Sequence, residues 1–243
     1  MNDPYLVTVE EELFQWRKKL IKKSNMLQRV SKKAQTKVNE MIPEKAHSVI
    51  TESIKKMVQA TLVGSEYTTK GNYPNGMTLQ VKEKLIEDKL TVYRRTAAAE
   101  GAGTGAGGFL LSLADFPLLL SIKMKFLFDV AAIHGFDTKK YEERLFLLYV
   151  FQLAFSSDEQ KKKTFEIIEN WEEKKQKLVE LDWKVFQQEY RDYIDFVKML
   201  QLLPGVGAVV GAYANCNLLD HLGEVAKNCY RIRILRSEKG RML

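Results

Sequence analysis

The sequence predicts an all-α protein, a multi-helix globular bundle with two glycine-rich apolar helical segments, and three observations carry that prediction. Apolar residues recur every third or fourth position through most of the 243 residues, the spacing of one face of an α-helix. No stretch combines strict apolar/polar alternation with the β-branched enrichment of a strand. Glycine and proline cluster at a few points that divide these patterns into about eight helices, with boundaries good to two to four residues.

The first pattern covers residues 5 to about 40 without an internal proline or glycine and spaces Leu13, Trp16, Leu20, Ile21, Leu27 and Val30 helically. It reads as one long amphipathic helix or two consecutive ones with an interruption at Ser24-Asn25. Pro43 suits the first turn of the next helix, because a proline there forfeits an amide that would be unpaired anyway. Ala46, Val49, Ile50, Ile54, Met57, Val58 and Leu62 form its apolar stripe. Residues 64–77 hold Gly64, Gly71, Pro74 and Gly76 among polar residues, the composition of a loop. That connection serves equally as a surface loop or as a hinge within a single domain spanning residues 1–243. Thr78 is placed to cap the following helix, which carries Val81, Leu85 and Leu90.

Residues 101–122 form the first glycine-rich apolar segment, and a helix continues through Lys123 to His134 and stops at Gly135-Phe136-Asp137. Residues 141–155 are a further apolar helix, and Ser156 to Glu159 supply a turn and a new cap. From Lys161 to Val185 the chain is strongly charged with a thin apolar seam of Phe165, Ile168, Trp171, Leu178, Leu181 and Val185, which predicts a partly exposed helical arm. The second glycine-rich apolar segment follows at Leu202 to Leu219, with a break at Pro204-Gly205. The last helix is expected to reach about Leu235, leaving residues 236–243 as a frayed basic tail.

The formal charge of +7 favours anionic surroundings. It is unevenly spread: Arg17, Lys18, Lys19, Lys22, Lys23, Arg29, Lys32, Lys33 and Lys37 fall between residues 16 and 37 with no acid among them. The C-terminal stretch repeats the pattern with Lys227, Arg231, Arg233, Arg236, Lys239 and Arg241. Cys216 and Cys229 match neither a disulfide scaffold nor a zinc module, so reduced thiols in a cytoplasmic setting are expected. The mixed, acidic opening with Glu10, Glu11 and Glu12 argues against a cleaved secretion signal.

The run Gly101-Ala102-Gly103-Thr104-Gly105-Ala106 imitates a dinucleotide fingerprint, but the stretch before it is helical in pattern. Asp115 and Asp129 stand fourteen and twenty-eight residues beyond Gly101, where the fingerprint needs an acid about twenty on. Close helix packing is the reading kept for Gly107, Gly108, Gly207 and Gly211, since small residues let backbones approach. A bilayer crossing needs roughly 20 mainly apolar residues. Asp115, Pro117, Lys123 and Lys125 interrupt the first segment, and Asn215, Asn217 and Asp220 the second, so a conventional span is not expected, while reversible insertion or interfacial contact stays open. The helix with Phe109 to Leu120 is predicted to pack near the one with Val209 to Leu219, with Asp115 capping or paired at the junction.

Thr104 to Leu110 with Leu113 to Pro117, the Gly135-Phe136-Asp137 turn, and Leu203 to Ala212 with Asn215 occur in the order found in the EcsC family, which this chain resembles from about Thr91 to Leu235. His134 stands where that family commonly has a tyrosine. The resemblance implies a bacterial, cytoplasmic or membrane-peripheral accessory protein associated with an ABC-transporter locus, and it transfers no catalytic assignment.

No reaction emerges from the residues themselves. His47, His134 and His221 form no zinc motif, and Cys216 lacks a linked base, so no catalytic residue, metal or cofactor is expected. Asp115 and Asn215 are the candidate polar site, because a buried carboxylate or amide must find partners. The leading expectation is a non-enzymatic accessory or regulatory protein meeting an anionic membrane surface or a membrane protein at the inner face of the cell membrane. A small-ligand-binding or hydrolytic domain using Asp115 and Asn215 comes second. Non-specific nucleic-acid binding comes third, for want of any recognised binding motif. Self-association is left open.

Overall fold

The computed structural model describes residues 4–21, 44–64, 73–74, 76–105, 116–156, 158–179 and 208–241. Among them are eight helices and no strand: α1 (Pro4–Ile21), α2 (Glu44–Val63), α3 (Leu79–Gly105), α4 (Phe116–His134), α5 (Tyr141–Phe155), α6 (Asp158–Glu169), α7 (Trp171–Val179) and α8 (Ala208–Arg241).

Local chemistry explains several boundaries. Thr78 caps α3, its Oγ1 accepting from the Val81 amide at 3.4 Å. Gly135 ends α4 with φ +90°, its amide donating to Ala132 O and the Phe136 amide to Ala131 O, both at 3.0 Å. That is the paired closure of a Schellman motif, which needs a left-handed residue. Gly64 ends α2 with φ +76°, and Arg144 Nε donates to Leu62 O there at 2.7 Å. Arg144 also donates to Thr138 O and Lys139 O, so one guanidinium ties the end of α2 to the turn before α5.

The core is built around α4 and α5. From Leu145 to Phe155 every residue of α5 is buried, as expected of a helix apolar all round. Phe146 meets Trp171 of α7 and Tyr230 of α8 edge-on, with centroids 5.0 and 5.2 Å apart. Each such pair contributes roughly 0.5–1.5 kcal/mol beyond its buried area. The long α8 makes its most extensive interface with α3 and also touches α1, α4, α5 and α6.

Two expectations need correction. No described helix is long and apolar enough to cross a membrane, so the glycine-rich apolar segments do not stand as a pair of long apolar helices. Gly101, Gly103 and Gly105 close α3, a separate helix starts at Phe116, and Ala208 opens a 34-residue helix that soon turns polar. The reason is the charge each carries: Lys123, Lys125 and Asp129 in α4, and Asp220, Glu224 and Lys227 in α8. The segment after Lys161 is helical and partly exposed as expected, but its seam joins the main core and it is no separate arm. It breaks at Asn170 into α6 and α7, and Phe165, Ile168 and Trp171 are core residues, whereas Leu181 and Val185 lie outside the described residues.

Candidate functional site

A groove of about 780 Å³ runs between α3 and α4. Its walls are apolar where Leu85 and Val92 of α3 face Leu118, Ile122 and Ile133 of α4, and its polar residues include Tyr73, Asp88, Lys89, Tyr93 and Lys125. Leu85, Val92 and Thr96 line it because residues three, four and seven apart share a helix face. Val92 and Leu118 are exposed at the lip, at 58% and 44%.

Asp129, buried on α4 between Phe128 and Val130, anchors the polar side. Its Oδ2 accepts from the Tyr93 hydroxyl at 2.9 Å and lies 3.3 Å from Lys89 Nζ. Burial and then the Asp129 charge push the Tyr93 hydroxyl far above its ordinary range. Burial pulls the Lys89 ammonium down, but Asp129 and Tyr73 outweigh it and the net shift is upward. Tyr93 therefore keeps its proton and Lys89 its charge near neutral pH, an arrangement suited to holding a ligand rather than exchanging protons with one.

Deeper in the molecule, two guanidinium groups of α8 bind the helices together. Arg231 makes paired bonds to Glu83 of α3 (Nε to Oε1 and Nη2 to Oε2, both 2.6 Å) and a third to Glu12 of α1 at 2.7 Å. The Tyr5 hydroxyl adds a 2.6 Å bond to Glu83, and burial followed by that bond pushes it up to about 12. Arg233 makes paired bonds to Glu143 of α5 at 2.6 and 2.8 Å and reaches Glu172 of α7 at 2.8 Å. Its guanidinium also lies 4.1 Å over the Phe136 ring and 4.5 Å over Phe146.

His134 stacks on Tyr230, with ring centroids 4.9 Å apart. Burial, helped by Lys82 and Arg231, pushes its imidazole down to about 3. His221 is part-buried and contacts Ala154 O at 2.9 Å. Cys229 is buried and burial raises its thiol well above the ordinary range, while Cys216 Sγ donates to Arg94 O at 3.7 Å. Burial thus disfavours the thiolate of Cys229. Among the described residues no group of three or more His, Cys, Asp or Glu could hold a metal ion.

Helix α1 buries one apolar face and exposes three large apolar residues on its outer side. Val9, Leu13 and Trp16 are buried, and Trp16 meets Phe165 of α6 edge-on at 5.9 Å. On the outer side, Val7, Phe14 and Ile21 are 55%, 54% and 48% exposed at seven-residue spacing, which keeps them on one stripe, interspersed with the exposed Glu10, Glu11 and Lys18. Lys18 Nζ sits 4.2 Å over the Phe14 ring, Lys19 is exposed beside it, and Arg17 pairs with Glu169 at 2.7 Å.

Most residues singled out from the sequence cannot be placed in this scheme. Asp115, Gly107, Gly108, Gly207, Lys22, Lys23, Lys32, Lys33 and Lys37 lie outside the described residues, as do the side chain of Asn215 and the surroundings of Gly211 on α8. Helices α4 and α8 do touch, and a glycine not singled out lies at their shared contact with α3. A Cβ on Gly223 would meet Leu90 Cδ2 at 3.0 Å and Phe126 Cζ at 3.6 Å. Asp129 was also missed, although an acid inside the run Phe126-Leu127-Phe128-Asp129-Val130 carries the same signal that pointed to Asp115.

The EcsC protein family profile matches residues 8–235, extending the resemblance toward the N-terminus. The chain is 55% identical over 230 residues to protein EcsC of Bacillus subtilis (strain 168), covering 95% of this chain and 96% of that protein. It is 28% identical over 159 residues to the protein YdbA of the same organism, covering 64% of this chain and 58% of that one. No solved structure matches the chain.

Proposed function

From the premise that this chain belongs to the EcsC protein family, we propose that it is a non-enzymatic accessory protein that sits on the inner face of the cell membrane, beside a membrane transporter of the ABC type. The outer stripe of α1 is the observation that carries this reading. Val7, Phe14 and Ile21 leave apolar surface in water, which a soluble partnerless helix gains nothing by exposing, and Lys18 and Lys19 flank its C-terminal half. The sequence continues with Lys22 and Lys23, so the basic charge is concentrated beyond the apolar stripe. Such a pattern suits the headgroup boundary of an anionic bilayer, where each lysine near the surface contributes about 1 kcal/mol.

Flotation with vesicles tests the reading. The protein should float with vesicles containing anionic lipid at low salt, float less as salt rises, and stay behind with purely zwitterionic vesicles. Phe14→Glu should abolish flotation, and the Lys18→Glu/Lys19→Glu double variant should weaken it at least tenfold. Absence of flotation with anionic vesicles at low salt refutes membrane contact through α1.

A further inference from the structure

We infer that the groove between α3 and α4 binds an amphiphile with a linear acyl chain and an anionic head, the head meeting Lys125 on the side of Ile122 and Leu118 and the chain lying from there along Val92 and Leu85 toward Ile133.

Shape argues for a chain. The lining residues of α3 run from Leu85 to Thr96, about 16 Å of helix at 1.5 Å per residue. The groove's volume of about 780 Å³ falls in the range of small-molecule pockets. Thr96 and Ser121 on the walls donate their hydroxyls to the backbone carbonyls of Val92 and Pro117, which lowers the polarity those walls offer a ligand.

Charge argues for an anionic head. Asp88 pairs with Lys84 at 3.2 Å on its own helix, and Lys89 is matched by Asp129 at 3.3 Å. Lys125 is exposed at the edge of the groove with no ion-pair or hydrogen-bond partner among the described residues. One uncompensated cation therefore stands beside an apolar trough whose lip, at Val92 and Leu118, is open to solvent. A carboxylate or phosphate head at Lys125 satisfies the charge while its chain removes the trough from water. Occupancy does not require α1 to touch a bilayer.

Titration of the full chain with dansyl-labelled undecanoic acid is the direct test, with oleate, laurate and dodecyltrimethylammonium as competitors. Saturable binding displaced by oleate is expected. Val92→Glu and Leu118→Glu, both at exposed positions, should each weaken it at least tenfold at unchanged helical content by circular dichroism. Lys125→Glu should invert the preference for laurate over dodecyltrimethylammonium. Phe14→Glu should bind the probe like the parent protein even where it fails to float, which separates the groove from membrane contact through α1. Native mass spectrometry after incubation with phosphatidylglycerol vesicles distinguishes the sources: a retained phospholipid identifies a membrane lipid, and a protein that retains only added oleate identifies a free fatty acid. Lack of saturable binding, or affinity indifferent to the two wall substitutions, overturns the site. An uninverted head preference in Lys125→Glu overturns the role of Lys125.

Discussion

Arg231 and Glu83, 148 residues apart in sequence, are joined by two parallel hydrogen bonds of 2.6 Å in a region where both side chains are almost wholly buried. The pair fixes α8 against α3, the largest interface of the fold, and the bond from Arg231 to Glu12 brings α1 to the same point. Breaking such a pair from one side leaves an uncompensated buried charge, whose cost is about 3–5 kcal/mol. Arg231→Met should lose that much stability in chemical denaturation. Adding Glu83→Leu to Arg231→Met should recover most of it, because the orphaned carboxylate is then gone. A double variant no more stable than Arg231→Met would mean that the pair is not what holds the two helices.

His134 predicts a pH dependence. Its folded imidazole titrates near 3, well below the ordinary 6.5. Between those values the unfolded chain binds a proton that the folded chain does not, so stability is complete above pH 6.5 and falls as the pH drops toward 3. The loss attributable to this residue between pH 7 and pH 5 is about 2 kcal/mol. His134→Phe keeps a ring against Tyr230 and should be as stable as the parent at pH 7, with a gain of that size at pH 5. Parallel stability–pH curves for the two proteins would count against the buried neutral imidazole.

Lys123 of α4 is buried, and burial pushes its ammonium down to about 8. Here the unfolded chain holds the extra proton between about pH 8 and 10.5, so stability rises with pH through that window and the penalty is complete below it. Its size is on the order of 3 kcal/mol. Lys123→Met, which fills a similar volume without the charge, should raise stability at pH 7 by up to that amount, with the advantage vanishing above pH 10.5. An unchanged or lowered midpoint at pH 7 would show that the ammonium is compensated inside the fold.

Gly223 is where close backbone approach can be tested. An alanine Cβ would press on the end of the half-buried Leu90 side chain, which can shift, while the helix gains roughly 1 kcal/mol of intrinsic propensity. Gly223→Ala should therefore stay within about 1 kcal/mol of the parent. Gly223→Leu has no space between Leu90 and Phe126 and should cost about 1–3 kcal/mol through overpacking. Thermal unfolding of both variants reads the difference, and an unaffected leucine variant would show that the α3–α8 interface is looser than the distances indicate.

The sequence by itself determined what depends on neighbours a few residues apart. Thr78 capping α3, the Gly135 closure of α4, the uniformly apolar α5 and the apolar spacing of α1 were all readable, because capping, left-handed turns and helical faces are set within one or two turns of chain. Even there the second, exposed face of α1 went unread, since Val7 and Ile21 look like any other apolar residues until the buried face is known. Tertiary structure alone decided which charges would be buried together. Arg231 and Arg233 read as members of a basic tail, and their i, i+2 spacing only says that they leave α8 on nearly opposite sides. That one meets Glu83 and Glu12 while the other meets Glu143 and Glu172 follows from the crossing of α8 over α1, α3, α5 and α7. The groove likewise exists only because residues of α3 and α4, far apart along the chain, line it together. Long-range pairing of this kind is settled by the packing that brings Arg231 and Arg233 to their carboxylates, and no local pattern encodes it.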